Sequence, residues 1–566
     1  MNFRNLSQLI ELCVEKGIRH AVLCPGSRSA PLTLAFIRNK KIQCWTFSDE
    51  RSAAFIAVGM AKQTDKPVAL VCTSGSAAYN FSPAVAEAFF QQIPLIVLTA
   101  DRPAEWIDQM DGQTIRQKEL FGKHVKKYFE LPQEYAHPDS GWHANRIVNE
   151  AVNLSVAGLK GPVHINAPFR EPLYPTITEK TKANPVRVVE PIHAISTLST
   201  GEWAAIKKRI THFNKILIVS GQNDHDQLLS SALNDFSTVH HLPVAGDILS
   251  NLHALPFFCG HADTFLEQIS ESAKEELRPD LLITFGKSLI AKNLKLFLRG
   301  HHPKEHWHLQ TAGEVADTFQ SLTKIIPIAP QLFFKQLSIS TFPYPKSRKP
   351  FHQAWTSTEQ KAKIKIDSFF KTRKNGEFQL VKQVLESLPT QCHLHLANSM
   401  AVRYANHIGL TTSHKNVKAF SNRGTSGIDG CSSTSVGHTL VSEVPNVLIT
   451  GDLAFFYDRN AYWHNYKLPN LFIVLLNNHG GIIFNLIDGP SGLPEAAEFF
   501  ITRQHLNAQS LAKEFGFAYE KASGVILKSF FQCNGNAKIL ELDSSQLENK
   551  KIFEEFKKEL KKSYEA

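Results

Sequence analysis

The stretch VLITGDLAFF, residues 447–456, and the stretch LFIVLLNNHGG, residues 471–481, indicate how this chain folds. Each begins with an apolar run typical of a buried strand and continues into polar residues, Asp452 in the first and Asn478 in the second. The 26 positions from Asp452 to Asn478 fit one crossover helix and its loops. The two runs are therefore predicted to be neighbouring parallel strands of a βαβ unit.

Both polar side chains should then emerge at the carboxyl edge of the sheet, where doubly wound folds bind their ligands. A carboxylate beside an amide oxygen suits a hard divalent cation such as Mg²⁺, which can hold a diphosphate. The alternative is that Asp452 and Asn478 are ordinary turn residues, because turns favour both residue types. The rest of the chain has to decide between these interpretations.

A chain of 566 residues is too long for one hydrophobic core and suggests about three or four domains. The longest purely apolar run, Leu471 to Leu476, is far shorter than the ~20 residues that span a bilayer, so no membrane segment is expected. Apolar residues from Leu6 to Val14 have helical spacing, which predicts a first helix of the fold rather than a signal peptide.

The eight cysteines are scattered and form no Cys-x-x-Cys pair, which favours reduced thiols and a cytoplasmic protein. The formal charge of +10 permits nucleic acid as a partner, but basic and acidic residues are mixed along the chain. Anionic small-molecule substrates suit this balance better, so neither nucleic acid nor a membrane is expected as a partner.

Apolar runs alternate with helical segments, which predicts an α/β protein of three doubly wound parallel-sheet domains over residues 1–180, 190–340 and 352–566. A Pro- and Thr-rich stretch, 171–191, is predicted to link the first two domains, and a proline-rich stretch, 326–350, to end the second. The main predicted strands are 20–24, 42–47, 68–72, 93–99, 163–166, 216–219, 281–285, 306–309, 393–396, 447–450, 471–476 and 539–542.

The first and third units share an order of motifs. Ser27 and Ser399 each follow a predicted strand, as do Thr73-Ser74-Gly75 and Thr450-Gly451-Asp452. Doubly wound domains share some of this by architecture, so an internal duplication is only suggested. If it is real, two related sheets should face one ligand.

Glu50 lies between the predicted strand 42–47 and a helix rich in small residues, which permit close packing. A carboxylate at a helix start is commonly there because it interacts favourably with the helix dipole. In the functional interpretation, apolar surroundings raise the pKa of Glu50, which can then share a proton with a heteroaromatic ring nitrogen.

Arginines recur just after strands. Arg28 follows the first strand in CPGSRS, residues 24–29, where Ser27 and the start of a helix add hydrogen-bond donors. Arginines on surface turns are common, but repeated placement at the edges of parallel sheets indicates a cleft for carboxylates. The other arginines in such positions are Arg102, Arg116, Arg403 and Arg423.

Glu50 together with the Gly-Asp…Asn pattern resembles the thiamine diphosphate-dependent decarboxylases and carboligases. Their order, a pyrimidine-binding domain, a central domain and a diphosphate- and metal-binding domain, agrees with the three predicted units. Within this superfamily, seven motifs are similar to those of the menaquinone-biosynthesis transferases that decarboxylate 2-oxoglutarate and add the succinyl unit 1,4 to isochorismate. The motifs are CPGSRSAPLTLA (24–35), SDERSAAF (48–55), TSGSAAYN (73–80), LTADRP (98–103), GQTIRQ (112–117), SNRGTSGIDG (421–430) and NNHGGIIF (477–484).

The resemblance implies that thiamine diphosphate binds with Mg²⁺ or Mn²⁺, and that Asp452, Asn478 and the Gly480 carbonyl hold the metal. Glu50 would come from the partner subunit and contact the pyrimidine ring, so a homodimer or dimer of dimers is expected, with active sites at the subunit interface. Ile428 would hold the cofactor in its bent shape. The implied cofactor-binding set is Glu50, Thr73, Gly75, Asn398, Ser426, Ile428, Gly451, Asp452, Leu453, Ala454, Asn478, Gly480, Ile483 and Phe484.

For the substrates, the resemblance implies that Ser399 and Arg403, with Arg423 close by, bind the distal carboxylate of the succinyl group. Asn293 stands where the family commonly has a second basic residue after Lys292, and His479 where it often has Asn. Ile483, Phe484 and Ile487 would form an apolar wall that excludes water, although helix packing explains them nearly as well. The residues expected to face isochorismate are Ser27, Arg28, Arg102, Gln113 and Lys292.

Two other functions remain open. A different carboligase or decarboxylase, such as acetolactate synthase or pyruvate decarboxylase, shares the cofactor pattern. However, residues 108–117 lack the adjacent His pair of many pyruvate-type enzymes, and small neutral products would not need so many arginines. A non-catalytic cofactor- or nucleic-acid-binding protein is disfavoured because Glu50, Asp452 and Asn478 are all present.

Overall fold

The computed structural model describes residues 3–174, 186–192, 194–338, 348–373, 375–486, 490–522, 528–532 and 535–565. Within these residues the chain forms three six-stranded sheets, in which neighbouring strands pair in parallel. This confirms the predicted fold class. None of the described helices is long and apolar enough to cross a membrane.

The first sheet has the strand order β2-β1-β3-β4-β6-β5. Its strands are β1 (His20–Leu23), β2 (Gln43–Thr46), β3 (Val68–Cys72), β4 (Leu95–Asp101), β5 (Tyr128–Glu130) and β6 (Val163–Pro168). The accompanying helices are α1 (Phe3–Glu15), α2 (Ala30–Arg38), α3 (Glu50–Thr64), α4 (Ser76–Asn80), α5 (Ser82–Gln91) and α6 (Pro138–Val156).

The second sheet has the order β12-β11-β10-β7-β8-β9. Its strands are β7 (Ile216–Ser220), β8 (Val244–Gly246), β9 (Phe258–Cys259), β10 (Leu281–Phe285), β11 (Glu305–Leu309) and β12 (Lys324–Ile326). The accompanying helices are α7 (Thr200–Ile210), α8 (Gln227–His240), α9 (Ala262–Phe265), α10 (Glu271–Leu277), α11 (Lys292–Gly300) and α12 (Pro330–Ser338).

The third sheet has the order β14-β13-β15-β16-β18-β17, the same pattern as the first. Its strands are β13 (Gln391–Leu396), β14 (Asn416–Phe420), β15 (Asn446–Gly451), β16 (Leu471–Asn477), β17 (Ala518–Lys521) and β18 (Lys538–Asp543). The helices are α13 (Arg348–Thr372), α14 (Glu377–Ser387), α15 (Met400–Ile408), α16 (Cys431–Leu440), α17 (Asp452–Tyr457), α18 (Ile483–Leu486), α19 (Ala508–Phe515) and α20 (Gln546–Glu565).

The two predicted inter-domain stretches contain more structure than the sequence suggested. Residues 175–185 of the first lie outside the described part, but Asn149 of α6 binds the Arg187 carbonyl and the Val189 amide, which ties the following chain to the first domain. The proline-rich second stretch contains α12, whose Phe333 and Phe334 are buried in the second core. Proline starts this helix rather than breaking it, since the first turn needs no amide donor from Pro330.

Helix α13 belongs to two cores. Its first half buries Phe351 and Trp355 against the second domain, and its second half buries Phe369 and Phe370 against the third. The predicted start of the third domain at residue 352 therefore falls inside a helix that both domains share.

The first and third domains are joined by a close crossing of α3 and α16. A Cβ atom on Gly59 would lie 2.1 Å from the Thr434 carbonyl oxygen, and one on Gly437 would lie 2.1 Å from the Ile56 carbonyl oxygen. The backbones touch because neither glycine has a side chain. The small residues of α3 noted in the sequence serve this contact.

We predict that Gly59→Ala lowers the free energy of unfolding by about 1–3 kcal/mol, because the added methyl group overpacks the helix crossing. Gly141→Ala is the matched control, since a Cβ atom on this helical glycine would meet no other atom within 4 Å and alanine favours helix by up to about 1 kcal/mol. Thermal unfolding followed by circular dichroism compares the two. Equal unfolding temperatures for both variants would contradict the proposed packing.

Candidate active site at the edge of the third sheet

Strands β15 and β16 place two of the predicted residues side by side. They pair in parallel with Gly451 opposite Leu476, so Asp452 and Asn478 follow at the same edge. Strand β13 lies on the other side of β15, and its continuation to Asn398 reaches that edge as well. Because β14 and β15 lie on opposite sides of β13, this is the topological switch point where doubly wound sheets bind ligands.

Asp452 and Asn478 are buried, with 2% and 5% of their surfaces exposed. Gln504 Nε2 donates to Asp452 Oδ2 at 2.6 Å, and Asn478 Nδ2 donates to Glu377 Oε1 at 2.7 Å. Gln546 Nε2 lies 3.2 Å from Asn478 Oδ1. Both metal-ligand candidates are therefore held in fixed orientations.

Glu377, at the start of α14, is a site residue that sequence reasoning missed. Its side chain is fully buried, and burial with the nearby Asp452 charge raises its pKa to about 7. Burial also raises the pKa of Asp452, against the hydrogen bond from Gln504. Glu377 precedes Asn478 by 101 positions, and its helix-start position gave no signal of this contact.

These residues fit a divalent cation. Among the described residues, neither Asp452 nor Glu377 forms an ion pair with Lys, Arg or His, and the groups that approach the Glu377 carboxyl, from Asn478, Ser544 and Tyr404, are all neutral. Two buried carboxylates that lack a counter-charge are costly, and a bound cation would relieve that cost. No group of three or more His, Cys, Asp or Glu residues suited to a metal occurs in the described part of the chain, which agrees with a site built from one carboxylate, one amide and one carbonyl.

The turn after Asn478 depends on glycine. Gly480 has φ of +153°, and a Cβ atom there would lie 2.7 Å from the Ile501 carbonyl oxygen. His479 Nε2 lies 2.9 Å from Asp543 Oδ1, so its side chain contacts β18. Of the predicted apolar wall, Ile483 packs partly buried against the third core, Phe484 contacts Phe500, and Ile487 lies outside the described residues.

The predicted carboxylate-binding arginines lie close to Asn398. Arg423 Nη1 donates to Asn398 Oδ1 at 2.9 Å, and Arg403 Nη1 donates to the Ser399 carbonyl at 2.6 Å. Neither arginine forms an ion pair with a carboxylate in the described part of the chain. Burial and the Arg423 charge lower the pKa of Arg403. A bound anion would offset the repulsion between these two cations.

The loop that carries Arg423 is held by the first domain. Glu87 of α5 is 1% exposed, and it accepts hydrogen bonds from the Gly424 amide at 2.9 Å and the Thr425 amide at 2.6 Å. Further along this loop, Ser426 has φ of +63° and Ile428 packs partly buried against the third core. Glu87, which sequence reasoning also missed, fixes the loop from another domain.

Lys292, predicted to face isochorismate, is exposed at the start of α11. The neighbouring Asn293 binds Asp263 through its backbone amide at 2.6 Å. Half-buried Lys295 donates to the Leu289 carbonyl at 3.0 Å, and burial followed by the Arg423 charge lowers its pKa. Lys295 is therefore a further basic group beside Arg423, one the sequence reasoning did not single out.

Other predicted residues gather at the switch point of the first sheet, after β1 and β3. A Cβ atom on Gly26, beside Ser27, would lie 2.2 Å from Thr73 Cβ, and one on Gly75 would lie 3.3 Å from Gln113 Cα. Thr73 Oγ1 is buried without a hydrogen-bond partner in the described structure. Ser27, Thr73, Gly75 and Gln113 thus belong to one cluster.

The three arginines that the sequence placed at this sheet edge are bound within the domain, and Arg116 forms an exposed ion pair with Asp108 at 3.0 Å. Arg28 is 6% exposed and donates to the Phe169 carbonyl at 2.9 Å. Arg102 donates to the Gly112 carbonyl at 2.6 Å and lies 3.2 Å from Asp111, at a cleft of about 1010 Å³. Arg28 and Arg102 thus both have partners within the domain, and Arg102 also lines this cleft.

Glu50 starts α3 close to the third domain of the same chain, since its neighbours Asp49 and Arg51 form hydrogen bonds with Asn460 and with the Tyr457 carbonyl. Asn80 Nδ2 lies 3.5 Å from Glu50 Oε2, and no hydrogen bond or ion pair in the described structure joins Glu50 to Asp452 or Asn478. Within one chain, the hydrogen bonds of the described structure therefore do not link Glu50 directly to the predicted metal ligands.

Two parts of the chain match known families. Residues 4–121 match the family described as "Thiamine pyrophosphate enzyme, N-terminal TPP binding domain", and residues 200–396 match "Middle domain of thiamine pyrophosphate". The resemblance to thiamine diphosphate-dependent enzymes is confirmed.

Three relatives named 2-succinyl-5-enolpyruvyl-6-hydroxy-3-cyclohexene-1-carboxylate synthase align along nearly the whole chain. The protein of Cytophaga hutchinsonii is 46% identical over 98% of both chains. That of Flavobacterium johnsoniae is 38% identical over 98% of both, and that of Porphyromonas gingivalis is 37% identical over 98% of this chain and 96% of its own. This chain therefore belongs to the 2-succinyl-5-enolpyruvyl-6-hydroxy-3-cyclohexene-1-carboxylate synthase family of thiamine pyrophosphate enzymes.

Proposed function

We propose that this chain is a transferase of menaquinone biosynthesis that decarboxylates 2-oxoglutarate and adds the remaining four-carbon unit 1,4 to isochorismate. One CO₂ is released and one carbon–carbon bond forms, which yields the product named in the family. The observation that carries the proposal is the buried Asp452–Asn478 edge beside two arginines that have no carboxylate partner among the described residues, in a chain 46% identical to a relative of that name.

The cofactor would bind at the third-sheet edge. Asp452, Asn478 and the Gly480 carbonyl would hold Mg²⁺ or Mn²⁺, which would in turn fix the diphosphate beside the backbone of Gly451, Leu453 and Ala454. When bound, thiamine diphosphate supplies the electron sink that decarboxylation requires. The residues of this chain bind and orient it, and Ile428 would hold it in its bent shape.

Glu50 would act across a subunit interface. From the resemblance to thiamine pyrophosphate enzymes, we propose that the pyrimidine-binding residues of one protomer face the metal-binding residues of its partner, in a homodimer or a dimer of dimers. The Glu50 carboxyl would exchange a proton with the pyrimidine ring. Thr73 Oγ1, which is buried without a partner in the described structure, is available for the same ring.

Both substrates are dianions, which accounts for the cationic side chains of the proposed site. Arg403 and Arg423, with Ser399, would bind the distal carboxylate of 2-oxoglutarate by charge-assisted hydrogen bonds. Ser27, Arg102, Gln113 and Lys292 would face isochorismate. Arg28 would belong to the same set, since its bond to the Phe169 carbonyl occupies only part of its guanidinium group. Ile483 and Phe484 would exclude water.

A carboligase acting on pyruvate alone is the competing enzyme function. Purified protein with thiamine diphosphate and Mg²⁺ should consume isochorismate only when 2-oxoglutarate is also present, which absorbance and mass spectrometry of the product can follow. Equal or faster turnover of pyruvate by itself would overturn the assignment.

We predict that Glu50→Gln lowers turnover by roughly 10²–10⁴-fold, because an amide cannot exchange the proton with the cofactor ring. Circular dichroism should show an unchanged fold. Glu443→Gln is the control, because it makes the same charge change at an exposed position. Glu50→Gln with the turnover of the control would show that this carboxylate has no part in the chemistry.

We predict that Arg403→Met raises the KM for 2-oxoglutarate roughly 10- to 100-fold, the effect of losing one charge-assisted hydrogen bond. The KM for isochorismate should change much less. Arg459→Met, which removes an exposed ion pair with Glu514, should leave both values unchanged. A rise confined to isochorismate would instead assign Arg403 to the second substrate.

A further inference from the structure

Glu377 is buried against a predicted metal ligand from a distant part of the chain. Its Oε1 accepts hydrogen bonds from Asn478 Nδ2 at 2.7 Å and from Ser544 Oγ at 3.3 Å. Asn549 of α20 accepts from the Glu377 backbone amide at 3.0 Å and donates to Ser544 Oγ at 2.9 Å. Contacts from the turn after β18 and from α20 therefore fix both the backbone and the side chain of Glu377.

This contact determines which end of the Asn478 side chain faces the cofactor edge. A carboxylate oxygen accepts hydrogen bonds, so the amide nitrogen of Asn478 must face Glu377 and its Oδ1 must face the other way. Gln546 Nε2 lies 3.2 Å from that oxygen. A carbonyl oxygen has two lone pairs, so one remains for a cation.

Glu377 also adds charge. With Asp452 it forms a pair of buried carboxylates for which the described chain provides no Lys, Arg or His partner within 4.0 Å. Such a pair repels, and a divalent cation bound beside it would relieve the repulsion. Glu377 is thus placed like the outer groups that orient the ligands of a metal and make the site around it more negative.

We propose that Glu377 is a positioning residue of the metal site: it orients the Asn478 amide oxygen toward the cation and strengthens metal binding without touching the ion. This inference rests on the proposed function, since that function supplies the metal. The alternative is that Glu377 only stabilises the start of α14 through the helix dipole. That role predicts a loss of stability but unchanged metal affinity.

Glu377→Gln separates these roles. A glutamine can donate its own amide to Asn478 Oδ1 and so stabilise the flipped side chain, which would present nitrogen to the cation. Glu548→Gln is the matched control, because it makes the same change at an exposed position of α20 nearby. Electron paramagnetic resonance of free Mn²⁺, in the presence of thiamine diphosphate, gives the metal Kd for each protein independently of turnover.

We expect Glu377→Gln to weaken Mn²⁺ binding about 10- to 100-fold, while Glu548→Gln binds like the wild type. The unfolding temperature without metal should be equal to or above that of the wild type, because a buried charge has been removed. If Glu377→Gln does not fold, Glu377→Asp keeps the charge but is too short to reach Asn478, and it should also bind Mn²⁺ more weakly. Wild-type affinity in the variant that folds would overturn the inference.

Failure of the proposed function gives a different result. A wild-type protein that binds no Mn²⁺ with thiamine diphosphate would refute the cofactor assignment itself. Wild-type binding together with unaltered binding in Glu377→Gln would refute only the role of Glu377.

Discussion

The parallel pairing of β15 with β16 is the constraint on which the rest of the structure depends. It places Asp452 and Asn478 at one edge of the third sheet, where both are almost fully buried. Glu377 adds a second carboxylate, and the described chain gives neither acid a cationic partner. A fold that keeps such a costly arrangement is best explained by a cation that belongs there.

The first and third domains share one strand order and carry the two halves of the proposed site. Glycines at the crossing of α3 and α16 allow the two domains to touch backbone to backbone. Glu87 then holds the Arg423 loop from the first domain through backbone hydrogen bonds. The proposed substrate-binding groups on one domain therefore depend on docking against the other, which links the packing of the fold to the geometry of the proposed site.

Local patterns predicted the central strands, because a buried parallel strand such as β16 is a continuous apolar run. They missed short strands such as β8 and β9, which have three and two residues and too little pattern to recognise. The sheet edge that joins Asp452 and Asn478 followed from spacing alone. The roles of Glu377 and Glu87 could not be predicted from the sequence, because each contacts residues far away along the chain and neither lies in a recognisable local motif.

The most direct test of the account is isothermal titration calorimetry of thiamine diphosphate into the purified protein, with Mg²⁺ present and with Mg²⁺ removed by chelation. The account predicts saturable binding that requires Mg²⁺, since Asp452 and Asn478 would reach the diphosphate only through the cation. Binding of equal strength without a divalent ion, or no binding in its presence, would contradict the central claim that this edge is a metal-dependent diphosphate site.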